Sequence, residues 1–303
     1  MRFFAEASYR FIEQRKKAYV ISGVALLVSV AAMVFNVVST GSWQNYGVDF
    51  TGGSLIQVRF DIPDVEAGAV RSALGGAQAP PITRFGEENE FVIRAPLDEG
   101  SSIAEIAAEV ESQLSAAFGA GSFEVVRTEL VGSKVGDELQ GKAAMAILFS
   151  FVLTLIYIAI RFELRFGMAA IIATFHDMVL TLGFLALFRM EISLPSVAAI
   201  LTILGYSLND TIIVFDRIRE NLHAKGARKR EIIDLINQSI NETLPRTILT
   251  SGTTLVVLVA LLVLGGAVIR DFTVVLILGI VIGTYSSIFV ASPALLEIQK
   301  RFG

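Results

Sequence analysis

Asn209 and Asp210 stand side by side in an otherwise apolar run that begins near Ser196. A carboxylate at the centre of a membrane-spanning helix costs about 2.5–3.5 kcal/mol on insertion scales, so an acid kept there implies a task or a partner. On a helix turning about 100° per residue, Thr202, Tyr206, Asn209 and Asp210 fall on one side. The next apolar run opens with Pro245-Arg246-Thr247 and continues through Thr250, Thr253 and Thr254. Arg246 shares a face with those later threonines. An earlier run carries His176-Asp177 near its middle. The chemistry these residues suit is proton binding. With a rise of about 1.5 Å per residue and the fourth span centred near Tyr206, Asp210 would lie about 6 Å from the midplane and Arg246 about 13 Å, on the same side. An arginine side chain spans most of that gap, which makes an Asp210–Arg246 contact feasible. Burial disfavours the charged form of an acid and a basic neighbour favours it. An acid under both influences can act as a proton carrier.

Blander readings stand beside these. Arg246 alone could be an interface anchor whose head reaches water. His176-Asp177 could be a satisfied structural pair, and the threonines could only bond carbonyls of their own helix. Asp216, Arg217 and Arg219 read as a solvated helix end. Gly279, Gly283 and Ser287 recur every fourth residue, a small-residue face that favours close helix packing.

Other chemistries find little support. The chain has no cysteine, so thiol catalysis is excluded. The stretch Asp49-Phe-Thr-Gly-Gly53 lacks both phosphate-loop and dinucleotide patterns and reads as a turn or bulge entering a strand. An intramembrane aspartyl protease could use Asp177 and Asp210, but the Tyr-Asp and Gly-x-Gly-Asp patterns flanking such acids are missing. No catalytic set, cofactor or metal is expected, and the chain is read as a non-enzyme.

The elements that position these groups follow from hydropathy. Of 303 residues 53% are hydrophobic, with mean hydropathy +0.64, and the excess is gathered in runs long enough to span a bilayer. Six transmembrane helices are expected, at 18–38, 142–160, 168–188, 196–215, 246–265 and 271–292. Residues 1–17 form an amino-terminal segment and 293–303 a tail. The connection 216–245 carries an apolar stripe of Ile232, Ile233, Ile236, Ile240 and Leu244 opposite Asp234, Asn237, Gln238 and Asn241. That pattern predicts an amphipathic helix on the bilayer surface.

Residues 39–141 differ: they hold 16 acidic side chains against 6 basic ones. That acidity argues against nucleic acid as a partner. Strand Tyr46–Phe60, helix Pro63–Leu74 with Asp64 and Glu66 in its first turn, and strands Pro81–Phe85 and Glu90–Ala95 across Gly-Glu-Glu-Asn come first. A helix Ser101–Phe118 closed by Gly119 and a strand Ser122–Val131 complete a βαββαβ, ferredoxin-like order. The amino terminus and the loops 161–167 and 216–246 carry 5, 2 and 7 basic residues and the carboxy terminus 2, against only Arg189 and Arg270 in the opposite short loops. Both termini are therefore expected in the cytoplasm and the 39–141 domain outside.

Gly47-Val-Asp-Phe-Thr-Gly-Gly53, Phe162-Glu-Leu-Arg-Phe166, His176-Asp177, Gly205-Tyr-Ser-Leu-Asn-Asp210, Asp216-Arg-Ile-Arg-Glu-Asn221, Thr243-Leu-Pro-Arg-Thr-Ile-Leu-Thr-Ser-Gly252 and Gly283-Thr-Tyr-Ser-Ser287 together resemble the SecF protein-export membrane family. Pro245 departs mildly from that pattern, and a first-turn position would tolerate it. The resemblance implies a six-span subunit of the RND superfamily in the bacterial inner membrane, with a periplasmic domain. It implies partners SecD, the SecYEG channel, YajC and a translocating preprotein, in contact with membrane lipid. It further implies that the proton motive force drives export and that Asp210 and Arg246 form the proton pathway. Asn209, His176, Asp177, Tyr206 and Thr250 would support them. The chain from Val131 to Gly136 is expected to be a short linker passing motion to the outer domain. An RND-type small-molecule exporter subunit and an assembly-only scaffold remain as alternatives.

Overall fold

Backbone in hydrocarbon must satisfy its own hydrogen bonds, and long helices do so. The computed structural model describes residues 8–85, 89–96, 103–161, 163–224, 230–266 and 269–302. After a 3-10 turn at Ile12–Gln14, the chain forms α1 (Arg15–Thr40), β1 (Asn45–Tyr46), α2 (Val48–Thr51), β2 (Gly53–Phe60), α3 (Ala67–Ala73), β3 (Ile82–Phe85) and β4 (Glu90–Pro96). It continues through α4 (Ile103–Phe118), β5 (Phe123–Val131), α5 (Ser133–Arg161), α6 (Leu164–Leu187), β6 (Glu191–Ile192) and α7 (Leu194–His223). Last come α8 (Ile232–Leu264), α9 (Arg270–Ser286), a π turn at Ser287–Ala291, and α10 (Ser292–Phe302). Six helical segments are long and apolar enough to cross a membrane; α9, the π turn and α10 make up the sixth.

The inserted domain is an antiparallel sheet in the order β3-β4-β2-β5. With two helices, this is the ferredoxin-like arrangement of a βαββαβ chain. Period-two alternation places Ile56, Val58 and Phe60 of β2 and Phe91, Ile93 and Ala95 of β4 in its core. They pack against Val70 and Leu74 on one side of the chain order and Ile106, Val110 and Leu114 on the other. Arg59 and Glu90, directly opposite on β2 and β4, form a 2.6 Å ion pair on the other face.

Several boundaries move for local reasons. Tyr46–Phe60 is not one strand. Tyr46 pairs with Ile192 in a two-residue parallel bridge, the chain makes one helical turn, and Gly52 and Gly53, at φ +79° and +143°, turn it into β2. Those are backbone conformations that side chains resist. The helix expected from Pro63 starts only at Ala67, because Asp64 takes a left-handed φ of +57° and Glu66 is extended. β3 and β4 pair as expected of a hairpin, whereas the turn at 86–88 lies outside the described residues. The segment 131–136 is no linker: β5 ends at Val131 and α5 begins at Ser133. Gly136 backs so closely onto α2 that a Cβ would sit 2.7 Å from the Phe50 carbonyl oxygen.

The expected surface helix is instead the first part of α8, which runs unbroken through Pro245. Ile236, Ile240 and Leu244 are buried with Val214, Phe215 and Ile218 of α7 and Leu295 and Leu296 of α10. Of the polar side, Asn237 and Asn241 are buried too, against the amino-terminal segment, while Asp234 stays exposed. Asn241 accepts from Tyr9 N at 2.9 Å and donates to Tyr9 O at 2.8 Å; Asn237 accepts from Ile12 N at 3.0 Å. An amphipathic stripe cannot tell a lipid surface from a protein one, since both bury it. The same holds at the carboxy terminus, where the expected tail is α10 with Leu295 and Leu296 fully buried.

Candidate functional site

Glycine decides where the fourth and sixth spanning helices touch. A Cβ on Gly279 would lie 2.2 Å from Ile203, and one on Gly283 would lie 2.8 Å from Ser207 Cβ. Only bare backbone allows α7 and α9 this approach. One turn further along the same face, the Ser287 hydroxyl donates to Asp210 Oδ2 at 2.5 Å. Thr247 of α8 donates to Oδ1 at 2.6 Å. Asp210 is only 5% exposed, and these two hydroxyls satisfy one lone pair on each oxygen. Ser287 stands at the head of the π turn, where Ser292 Oγ donates to the Ser287 carbonyl at 2.9 Å. Pro293 follows directly, and its ring would crowd the carbonyl four residues back in a regular helix. The wider turn relieves that conflict.

Arg246 is not Asp210's partner here. It is exposed and acts on the acid only across space, and no ion pair joins it to a carboxylate among the described residues. Pro245 lies deep within α8 rather than in its first turn, so Arg246 is carried on a helix side rather than a helix start. The neighbouring Thr247 faces inward instead. The expected polar stripe also splits: Asp210 is buried, Tyr206 half-buried, and Thr202 and Asn209 are exposed. A cleft of about 230 Å³ opens beside Asp210, lined by Tyr206, Asn209, Thr250, Ser251, Thr253 and Thr254. Tyr206 OH donates to Thr254 Oγ1 at 3.3 Å. Thr250, Thr253 and Thr254 each donate to a carbonyl of α8 itself, leaving their oxygens free to accept.

His176 and Asp177, 4% and 2% exposed, form a second site. His176 Nδ1 meets Asp177 Oδ1 at 2.8 Å and Nε2 meets Ser22 Oγ of α1 at 3.1 Å. Ser22 meets Tyr285 OH at 3.1 Å, and Tyr285 OH donates to the Ala18 carbonyl at 3.2 Å. Tyr285 spends its proton on Ala18, so Ser22 donates to Tyr285 and accepts from His176 Nε2–H. One further proton must then lie between Nδ1 and Oδ1, and the pair is neutral overall. Ser207 donates to the remaining oxygen, Oδ2, at 2.5 Å. Of the residues singled out from sequence, α7 and α9 bring Asp210 and Ser287 together, and α6 holds His176-Asp177 apart from them. Sequence reasoning missed Thr247, Ser207, Ser22 and Tyr285, because hydroxyls in apolar helices are common and only helix rotation decides which ones face an acid.

The domain meets the bundle through a polar seam. Asp49 Oδ2 accepts from Leu194 N, the first amide of α7, at 2.9 Å, which suits a helix start. Arg94 of β4 lies 3.6 Å from Glu191. Burial pushes the Glu191 carboxyl above its ordinary value, with Arg94 opposing and Asp271 and Asp49 reinforcing the rise.

Together the fold and the paired acid sites define a multi-pass membrane protein with one ferredoxin-like domain inserted after its first spanning helix. The family of the protein export membrane proteins SecD/SecF matches at its carboxy-terminal region over residues 110–301, and the SecD/SecF GG motif matches over residues 45–61. The chain belongs to the SecD/SecF protein-export membrane family. The protein translocase subunit SecF of Gemmatimonas aurantiaca is 46% identical, over 100% of this chain and 90% of its own length. That of Vibrio alginolyticus is 42% identical over 98% and 92%. The solved SecDF of Thermus thermophilus superposes with a TM-score of 0.77 at 39% identity, covering 99% of this chain and 40% of that one. SecDF in a super-membrane-facing form gives 0.71 at 36% identity, with 97% and 39% covered. The chain thus spans about two fifths of the solved SecDF chains.

Proposed function

We propose that this chain is the SecF half of a SecDF-type complex in the bacterial inner membrane, where it pairs with SecD and uses the proton motive force to drive preprotein export through SecYEG, with YajC as an associated subunit. It works as a transport subunit rather than an enzyme. The bias of basic residues supports cytoplasmic termini and an outer position for the ferredoxin-like domain.

The observation that carries the reading is Asp210: an acid buried at a glycine-mediated helix crossing, held by two hydroxyls, beside a polar cleft. Protonation removes one acceptor oxygen from the Thr247–Asp210–Ser287 bridge and so loosens α8 and α9 from α7. Arg246, exposed and without an ion partner among the described residues, sets the field in which the acid titrates. The energy is sufficient: one proton gains about 2.3 kcal/mol per 100 mV and about 1.4 kcal/mol per pH unit. That shifts a conformational equilibrium a few kcal/mol apart. Because α5 enters the domain without a linker and Gly136 abuts α2, helix motion would reach the domain directly.

The test is ionophore-sensitive export by membrane vesicles carrying Asp210→Asn or Arg246→Ala, with co-purification of the partner as control. Export falling to the ionophore-treated level is expected for both. Full export by Asp210→Asn with an intact complex would leave only a scaffold role.

A further inference from the structure

A helix start leaves amides unsatisfied, and the residue just before it commonly caps them. Ser193 stands before α7, but its hydroxyl meets Ser196 Oγ at 3.1 Å instead. Pro195 has no amide to offer. The Leu194 amide is taken by Asp49 Oδ2 at 2.9 Å, from 145 residues earlier in the chain. Asp49 lies in α2, and α2 is wedged between helices. Its Phe50 is 2% exposed and belongs to the apolar core of Val197 and Ile200 of α7, with Leu139 and Ala143 of α5 packed against it. Gly136 of α5 closes on its back, and Gly52-Gly53 lead from it straight into β2. One helical turn therefore touches α5, α7 and the first strand of the four-stranded sheet. The two helices are unequal. Between Lys142 and Arg161, α5 has no acidic or basic residue that a proton could alter. By contrast, α7 runs unbroken from Leu194 to Asp210, about 24 Å.

We propose that the α2 turn, tethered to α7 by Asp49, is the part that converts movement of α7 into movement of the ferredoxin-like domain, with α5 as its fulcrum. The inference rests on Asp210 being the acid whose protonation moves the helices. When α7 shifts, the bond from the Leu194 amide to Asp49 makes α2 follow. Gly136 keeps α2 against α5, so the turn pivots rather than slides, and Gly52-Gly53 pass the pivot to β2. Asp49 is a positioning residue that acts through the helix end. The charged group facing Asp210 is Arg246 of α8, and His176-Asp177 of α6 meets α7 one turn earlier, at Ser207. Around Asp49 the seam holds Glu191, Arg94 and Asp271.

The chain has no cysteine, so Val38→Cys at the end of α1 and Glu111→Cys on α4, both exposed positions, carry spin labels that report the distance between bundle and domain. The complex, with a cysteine-free partner subunit, is taken through a pH step in lipid vesicles. The movement that counts is the part lost in Asp210→Asn, since the carboxyls of the seam titrate as well. Proton uptake is read separately, as the infrared carboxyl band lost in Asp210→Asn. Asp49→Ala should keep that band and the unfolding midpoint but cut the movement at least twofold. Asp49→Asn, which retains an oxygen for the Leu194 amide, should restore it. Leu194→Pro removes the amide from the other side of the bond, at a first-turn position that accepts proline, and should match Asp49→Ala. A smaller cut in either variant, an assembled Asp49→Asn that stays impaired, or no Asp210-dependent movement at all overturns the coupling while the proton-binding reading stands. No Asp210 band at any pH overturns that reading and the coupling with it.

Discussion

Asp177 and Asp210 are both buried acids served by a hydroxyl from a neighbouring helix, yet their surroundings differ in kind. Asp177 has a histidine partner that shares a proton with it, and a chain of hydroxyls leads from that histidine to a backbone carbonyl. Every proton in that chain has a place. Asp210 has no such neighbour; its two donors are alcohols that cannot neutralise it, and a polar cleft adjoins it. Burial alone therefore does not describe an acid's surroundings. One of these acids sits in a closed network with a histidine, the other beside an opening with only neutral donors.

The sharpest way to break this contrast is His176→Ala. It leaves Asp177 buried with neither counter-charge nor shared proton, and the loss of one partner from a buried pair costs about 3–5 kcal/mol. A large drop in the unfolding midpoint is expected in detergent, against little change for Asp210→Asn; equal effects would erase the distinction. Gly283→Leu ranks next. It drives a side chain into Ser207 at the α7–α9 crossing, an overpacking worth about 1–3 kcal/mol or more, and should disturb both acids at once. Thermal unfolding reads this, together with the infrared carboxyl bands of Asp210 and Asp177, each assigned by its loss in the Asn variant. Thr247→Val removes one donor to a charged oxygen, worth about 1.5–3 kcal/mol. It should change the pH at which Asp210 titrates while leaving the Asp177 band alone.

The smallest effect lies at the seam. Glu191 is held above its ordinary value, so the seated domain binds this proton more tightly than the free chain does. Its seating is therefore favoured while Glu191 is protonated and weakens as pH rises from the ordinary carboxylate range through the raised one. Hydrogen exchange in β4 and β6 should quicken over that window in the unaltered protein and stay flat in Glu191→Gln.

The apolar runs by themselves imply six spanning helices, because in a bilayer a long helix satisfies its own backbone hydrogen bonds. The alternation of Ile56, Val58 and Phe60 likewise marked the core face of β2, and one acid in a greasy helix marked itself. Boundaries were harder. Val131–Gly136 and Ile232–Leu244 are compatible with a linker and a surface helix until a neighbour is supplied, since apolar stripes bury equally well in lipid or protein.

Sequence by itself marked the groups that are costly to place in a spanning helix, Asp210 and His176-Asp177, and the four-residue glycine spacing that allows α7 and α9 to meet. Tertiary structure alone decided who answers them. Thr247 rather than Arg246 faces Asp210 because the rotation of α8 about its own axis, set by Ile236, Ile240 and Leu244 packing across the bundle, turns the threonine inward and the arginine out. A helix's rotation is a property of its neighbours, and no single stretch of chain encodes it.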